Sequence, residues 1–163
     1  MVRICFTAVI LWISFLFSYG QDQVTAIYNP HADAASDIRN AVKEAAAGER
    51  HVLLQIGGNW CSWCIRFHKF IHDDPQIDSL LKADYVFQLV NYSKENKNSD
   101  LLEELGYPQR FGFPVLIVLD SKGARLHTQN TAYLEKEKSY DREKVIEFLK
   151  HWSPAALKAE NYK

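Results

Sequence analysis

The stretch His51-Val52-Leu53-Leu54-Gln55-Ile56-Gly57-Gly58-Asn59-Trp60-Cys61-Ser62-Trp63-Cys64 decides the fold. Its first six residues form a short apolar run after a charged turn, which reads as a buried strand. Gly57-Gly58-Asn59 breaks the strand, and Cys61 and Cys64 follow at once. Ile65 to His72 continues as helix until Asp73-Asp74-Pro75. Strand, glycine break and helix start place the two thiols at the carboxyl edge of a sheet. A cysteine at a helix N-terminus faces backbone N–H groups and the positive end of the dipole, which favour its thiolate. Cys64, one turn deeper, is shielded and placed to attack backwards on a mixed disulfide.

Working outward, Asp33 to Ala47 is Ala-rich, with Ile38, Ala41, Val42 and Ala45 at helical spacing and Gly48 as the stop. Asp74 and Pro75 restart a helix through Leu81, and Tyr85 to Tyr92 reads as a second strand. Asp100 to Leu105 is a short helix ended by Gly106. Pro114 to Leu119 is the strongest strand, followed by the turn Asp120-Ser121-Lys122-Gly123 and a returning strand, Arg125 to Gln129. Asn130 to Tyr140 reads as a long polar connection. Asp141 caps a last helix that buries Val145, Ile146, Phe148, Leu149 and Trp152 and stops at Ser153-Pro154. Strands joined through helices are expected to be parallel and the hairpin antiparallel. The fold class is therefore α/β, a mixed central sheet flanked by helices.

At 163 residues, 47% hydrophobic and 24% charged, the chain suits one globular domain. Net charge is −1, with neither a basic stripe nor an acidic tail, so no nucleic-acid partner is expected. Arg3, the apolar run Ile4 to Phe17 and the small residue Gly20 have the layout of a secretory signal peptide, with the mature chain beginning near Gln21. An uncleaved anchor is the alternative, although the run is shorter than the ~20 apolar residues of a usual membrane span. The expected division is a signal peptide over 1–20, an extended lead-in over 21–32, the domain over 33–154 and a C-terminal tail over 155–163. The mature chain is expected to be periplasmic or secreted, monomeric, and not inserted in a membrane once the signal is removed.

Of three cysteines, Cys5 lies in the signal, leaving Cys61 and Cys64. An exported domain stapled by disulfides usually has several, spread along the chain. A bridge across two intervening residues closes almost no loop and stabilises little by entropy. The pair is better explained by reactivity than by architecture.

These residues resemble the thioredoxin superfamily, particularly secreted thioredoxin-like proteins with a Trp-Cys-x-x-Cys site. The likeness covers most of residues 33–152 and rests on the strand His51–Ile56, on Trp60-Cys61-Ser62-Trp63-Cys64, and on Phe111-Gly112-Phe113-Pro114 before the hairpin. It implies a thioredoxin-like fold with a cis Pro114 beside the cysteines, where the Phe113 backbone pairs with an extended substrate and Pro114 keeps metals off the thiols. It further implies thiol–disulfide exchange on protein substrates, with Cys61 attacking and Cys64 resolving. Trp60, Trp63, Phe113 and Pro114 are then the expected substrate-binding residues. The expected cofactor is none beyond the redox-active Cys61–Cys64 disulfide, and an unidentified redox partner must reset it. In thioredoxins a buried aspartate lies six residues before the first cysteine; here that position is Gln55, so water or another group takes the proton, or resolution is slow. The Ser62-Trp63 dipeptide is neither the Gly-Pro of cytoplasmic reductases nor the Pro-His of strong oxidases, which favours reduction or isomerisation over oxidation.

Other readings compete. A thioredoxin-like scaffold that binds a partner protein or a metal without chemistry is the main rival, and Gln55 supports it mildly. Peroxide reduction is a third, disfavoured by the lone Cys-x-x-Cys. Cys64, His68 and His72 share one helical face, but Cys64 and His72 stand roughly 12 Å apart along the axis, too far to share one ion on a straight helix. No metal site is therefore expected. A c-type haem is excluded because Ile65, not His, follows Cys64. Tyr92, Tyr107 and Phe111 are expected to pack around the motif. Of His31, His51, His127 and His151, most are expected to be solvated. Asn91-Tyr92-Ser93 fits the N-glycosylation pattern.

Overall fold

Asp33, Asp74 and Asp141 each begin a helix by the same short-range device. Each side chain accepts backbone N–H groups two or three residues on: Asp33 from Ser36, Asp74 from Gln76 and Ile77, and Asp141 from Glu143 and Lys144. They open α1 (Ala34–Ala47), α3 (Pro75–Asp84) and α5 (Arg142–His151). Cys61 caps α2 (Ser62–Asp73), and a six-residue α4 (Ser99–Glu104) completes the helices. The strands are β1 (His51–Gly57), β2 (Tyr85–Asn91), β3 (Val115–Leu119), β4 (Arg125–Asn130), β5 (Glu135–Lys136) and β6 (Ser139–Tyr140). This computed structural model describes residues 26–163. The expected signal segment, Cys5 and the expected mature start near Gln21 lie outside the described residues.

The main sheet has the order β2-β1-β3-β4, with β1 and β2 parallel and both other pairings antiparallel. The mixed α/β sheet is as the sequence predicts, but the sense of β3 is not. Although helix α4 separates β2 from β3, β3 runs against β1. A parallel return would have to carry the chain to the far edge of the sheet, about 23 Å for a strand of seven residues. The connection over residues 92–114 does not make that crossing, and Val115 pairs with Ile56 near the end of β1. The chain therefore re-enters the sheet at the edge it left.

Side chains alternate between two cores. Val52, Leu54 and Ile56 of β1 and Val115, Ile117 and Leu119 of β3 face Ala34, Ile38, Ala41 and Ala45 of α1. Leu53, Leu116 and Val118 face the other way, onto Phe67 and Ile71 of α2, Ile77 and Leu81 of α3, and Val145 and Leu149 of α5. This period places Gln55 on the α2 face, between Leu89 and Leu116 in the ladder. Both faces of β1 are covered, which is why its sequence reads as a continuous apolar run.

Several local expectations need correction. The polar connection from Asn130 holds a 3₁₀ turn, Thr131–Leu134, and the two-residue hairpin β5–β6, which buries Leu134 and Tyr140. Tyr107 and Phe111 do not pack around the cysteines: both are exposed, and Phe111 lies beneath the Arg110 guanidinium. His51 is buried with Nδ1 2.8 Å from the Trp152 carbonyl, and His127 stacks on the Trp152 ring at 4.3 Å. Trp152 therefore ends α5 as an aromatic lid over a histidine. Asn91 is buried and its amide donates to Ser93 Oγ and the Asn96 carbonyl, so its glycosylation motif is occupied by the fold. No helix among the described residues is long and apolar enough to cross a membrane.

Candidate active site

Cys61 and Cys64 form a disulfide, with Cα atoms 5.3 Å apart, at the start of α2 and beyond the end of β1. Cys61 adopts an extended backbone conformation as the N-cap, and its Sγ accepts the Cys64 N–H at 3.1 Å. For the thiolate of the reduced pair, that contact becomes charge-assisted and adds to the helix dipole. Cys64 is fully buried and Cys61 nearly so, at 0% and 6% exposure. The shielding expected for Cys64 is present, and in the disulfide form it extends to Cys61.

Around the pair, Trp60 is 59% exposed and donates from Nε1 to the Tyr92 carbonyl at 2.7 Å. Gly58 is required there, because a side-chain carbon on it would collide with the Trp60 ring and the Tyr92 carbonyl. Phe113 meets Trp60 edge-on at 5.4 Å and stacks on Tyr92 at 4.8 Å. The Phe113–Pro114 peptide is cis, and the Pro114 carbonyl accepts from Thr131 Oγ1 at 2.6 Å. The structure thus brings Trp60, Phe113 and the cysteines together at one sheet edge. Trp63 turns inward instead. It packs against both the cysteine cluster and the α2–α5 core, edge-on to Tyr140 at 5.4 Å, with the Arg66 guanidinium over its ring. An apolar hollow of about 600 Å³ opens beside Trp60, lined also by Pro30, Asn59, Tyr92 and Lys94.

The lead-in contributes a residue that sequence reasoning missed. Tyr28 is 3% exposed and forms one cluster with Cys61 and Cys64. Asn59 holds it there: Oδ1 accepts the N–H groups of Ile27 and Tyr28, and Nδ2 donates to the Tyr28 carbonyl. Beneath it, Gln55 Nε2 donates to Tyr28 Oη at 2.6 Å and to the Cys64 carbonyl at 3.0 Å. The Oε1 of Gln55 is buried without a partner. Burial pushes the Tyr28 phenol well above its ordinary range, so it stays protonated throughout the physiological range. The signal for Tyr28 lay in Asn59, a polar residue just before the cysteines whose partners are more than thirty positions away.

The helix face of Cys64, His68 and His72 does not converge on an ion. His72 Nδ1 lies 3.0 Å from Asp78, and the His68 ring packs edge-on against His72. Burial and the neighbouring His72 hold His68 below its usual pKa. Among the described residues, no three His, Cys, Asp or Glu side chains gather as a metal site.

Comparison with known proteins agrees with this geometry. A family described as Thioredoxin-like matches residues 33–121, more than half of the chain. The thiol:disulfide interchange protein DsbD of Photorhabdus laumondii is 29% identical over 75 residues, which are 46% of this chain and 12% of that relative. The chain therefore spans a small part of that relative's length. Among solved structures, the disulphide isomerase of Xylella fastidiosa Temecula1 aligns with a TM-score of 0.68 and 22% identity, over 76% of this chain and 94% of the other. The reduced C-terminal domain of Neisseria meningitidis DsbD aligns with a TM-score of 0.54 and 20% identity, over 72% and 96%. With the fold, the disulfide at the helix start and the cis-proline loop in place, this chain belongs to the thioredoxin-like family.

Proposed function

We propose that the chain is a thiol–disulfide oxidoreductase of the reductase or isomerase type, acting on protein disulfides outside the cytoplasm. The observation that carries this reading is the Cys61–Cys64 disulfide capping α2, with exposed Trp60 and the Phe113-Pro114 loop beside it. The apolar leader of residues 1–20 supports export. The pair itself carries the electrons, so no further cofactor is needed.

In the reduced chain, the Cys61 thiolate attacks one sulfur of a substrate disulfide. A bond forms between Cys61 and that sulfur, and the other substrate sulfur leaves as a thiolate that takes up a proton. Cys64 then loses its proton and attacks Cys61 Sγ. The internal disulfide closes and the second substrate sulfur departs, so the substrate gains two electrons and two protons. In isomerisation, a substrate thiol attacks the mixed disulfide instead and the chain ends reduced. Net reduction needs a thiol donor to reopen Cys61–Cys64. Exposed Trp60, backed by half-buried Phe113, offers the apolar contact, and the Phe113 backbone pairs with the extended substrate.

The test is insulin reduction and reactivation of scrambled ribonuclease by the wild-type chain, Cys61→Ser and Cys64→Ser. Cys61→Ser is expected to lose both activities, while Cys64→Ser stops turning over in reduction and accumulates a mixed disulfide. If the wild-type chain exchanges nothing and Cys61→Ser retains partners captured by wild type, the chain is a binding scaffold and the proposal is wrong.

A further inference from the structure

Cys64 is completely buried, and its surroundings explain poorly how it would ever ionise. The residues packed on the cysteine cluster, Ile27, Trp63, Ile65, Leu89 and Phe113, are all apolar. Apolar burial raises a thiol's pKa, whereas resolution of a mixed disulfide requires the Cys64 thiolate. Two polar groups reach this pocket, Tyr28 and Gln55. A side-chain carbon on Gly57 would lie closer than 3.0 Å to Cys64 Sγ and 2.9 Å from Tyr28 Oη. The hydroxyl and the sulfur are therefore less than about 6 Å apart, both beside the space that a Gly57 side chain would fill.

Their hydrogen bonding is incomplete in the disulfide form. Tyr28 Oη accepts from Gln55, which leaves its own proton directed elsewhere, and Gln55 Oε1 has no partner. Fully buried polar groups rarely stay unmatched. A disulfide sulfur carries no proton and accepts weakly, so the match is absent in this state. On reduction Cys64 becomes a donor as a thiol and a strong acceptor as a thiolate.

We propose that Tyr28 is a positioning residue for Cys64: its hydroxyl, oriented by Gln55, donates a hydrogen bond to the Cys64 thiolate. The role in resolution rests on the exchange reading above; the effect on Cys64 itself does not. No proton is transferred from Tyr28. The Cys64 proton leaves to solvent, the thiolate attacks Cys61 Sγ, the Cys61–substrate bond breaks, and the departing sulfur takes up a proton. The other titratable groups near Cys64 are few. Cys61 lies on the same turn, His68 follows one turn along α2, and the Tyr140 hydroxyl donates to the carbonyl of Trp63, the residue before Cys64. None of these is a carboxylate able to do the same work.

The experiment titrates Cys64 in the full chain carrying Cys61→Ser, following the Cys64 ¹³Cβ shift, with and without Tyr28→Phe. A hydrogen bond to a charged group predicts that Tyr28→Phe raises the Cys64 pKa by about one to two units. In the chain with both cysteines, resolution of a glutathione mixed disulfide should slow about three- to tenfold at pH 7, the loss of thiolate being partly offset by its higher nucleophilicity, and its pH profile move upward. Initial attack by Cys61 should be unchanged. An unmoved Cys64 pKa overturns the proposal, as does an equal slowing of both steps. Should Tyr28→Phe fail to fold, Gln55→Leu decides: a rise in the same direction supports the proposal, and no shift overturns it. Absence of exchange in the wild-type chain would remove the proposed function, while the Cys64 titration would still judge Tyr28.

Discussion

Gly57→Ala probes how tightly the cysteine pair is seated. Gly57 ends β1 with ordinary backbone angles, so alanine faces no conformational bar and should gain about 0.5–1 kcal/mol of backbone entropy. Against this, the added carbon would come within 3.0 Å of Cys64 Sγ, 2.9 Å of Tyr28 Oη and 3.1 Å of Cys64 Cβ. Comfortable carbon contacts lie near 3.5–4.0 Å, so the carbon must displace three fully packed atoms by about half an ångström or more. Overpacking of this kind costs about 1–3 kcal/mol, and three simultaneous overlaps put it in the upper half of that range, leaving a net loss of about 1–2.5 kcal/mol. The loss should be larger in the oxidised chain, where the bond to Cys61 fixes Cys64 Sγ. In the reduced chain, rotation about the side-chain bond can relieve part of the overlap. A difference of about 1 kcal/mol favours the reduced form and raises the pair's reduction potential by about 20 mV. Urea unfolding of oxidised and reduced protein, with a glutathione titration, measures both effects. Equal stability to wild type, or an equal loss in both redox states with an unchanged potential, would refute the reasoning.

Asn59→Ala removes three hydrogen bonds that hold Ile27 and Tyr28, and amide exchange at those two residues should accelerate at least about tenfold while the sheet amides stay protected. Tyr85→Phe removes a buried donor to the Leu149 carbonyl, which ties β2 to α5, and should cost about 1–2 kcal/mol in urea unfolding. Three aspartates should make the fold acid-sensitive. Arg142 and the Ile77 N–H hold Asp74 below the usual carboxylate range, Lys82 and His72 do the same for Asp78, and the N–H groups of Lys144 and Glu143 do so for Asp141. A depressed folded-state pKa contributes stability above the unfolded value, which is lost as pH falls through the folded one. Stability should therefore fall below about pH 4. Asp74→Asn should be weaker than wild type at pH 6 and converge with it at lower pH, as read from urea midpoints.

What the sequence disclosed was local or strictly periodic. The three aspartate caps act within three residues of themselves, and the both-faced burial of β1 is written in consecutive apolar residues. The position of Cys61 at the start of α2 follows from the glycine break before it and the Phe67 and Ile71 spacing after it. What it did not disclose depends on returns of the chain. The sense of β3 is decided by where the connection through α4 and the Pro114 turn re-enters the sheet, not by anything within Val115–Leu119 itself. Tyr28 sits in an aperiodic segment, and only its clamp to Asn59 and its bond to Gln55 bring it to the thiols. Exposed Phe111 and buried His51 reverse the usual tendencies because an arginine covers the first and a helix-terminal carbonyl takes up the second. The β5–β6 hairpin is too short, at two residues a strand, to leave a period at all.

Whether Cys61 and Cys64 cycle as a redox pair is read from a redox titration of the full chain in glutathione and dithiothreitol buffers, followed by tryptophan fluorescence. Trp60 and Trp63 flank Cys61, so opening the disulfide should change their emission. A reversible two-electron transition is expected, lost in Cys64→Ser, with a midpoint between those of thioredoxin and protein disulfide isomerase, about −270 to −180 mV. A midpoint near about −120 mV would mark an oxidant and contradict the proposed direction of electron flow. No transition at all, with the thiols remaining free or the disulfide resisting reduction, would contradict the claim that Cys61 and Cys64 are a working redox pair.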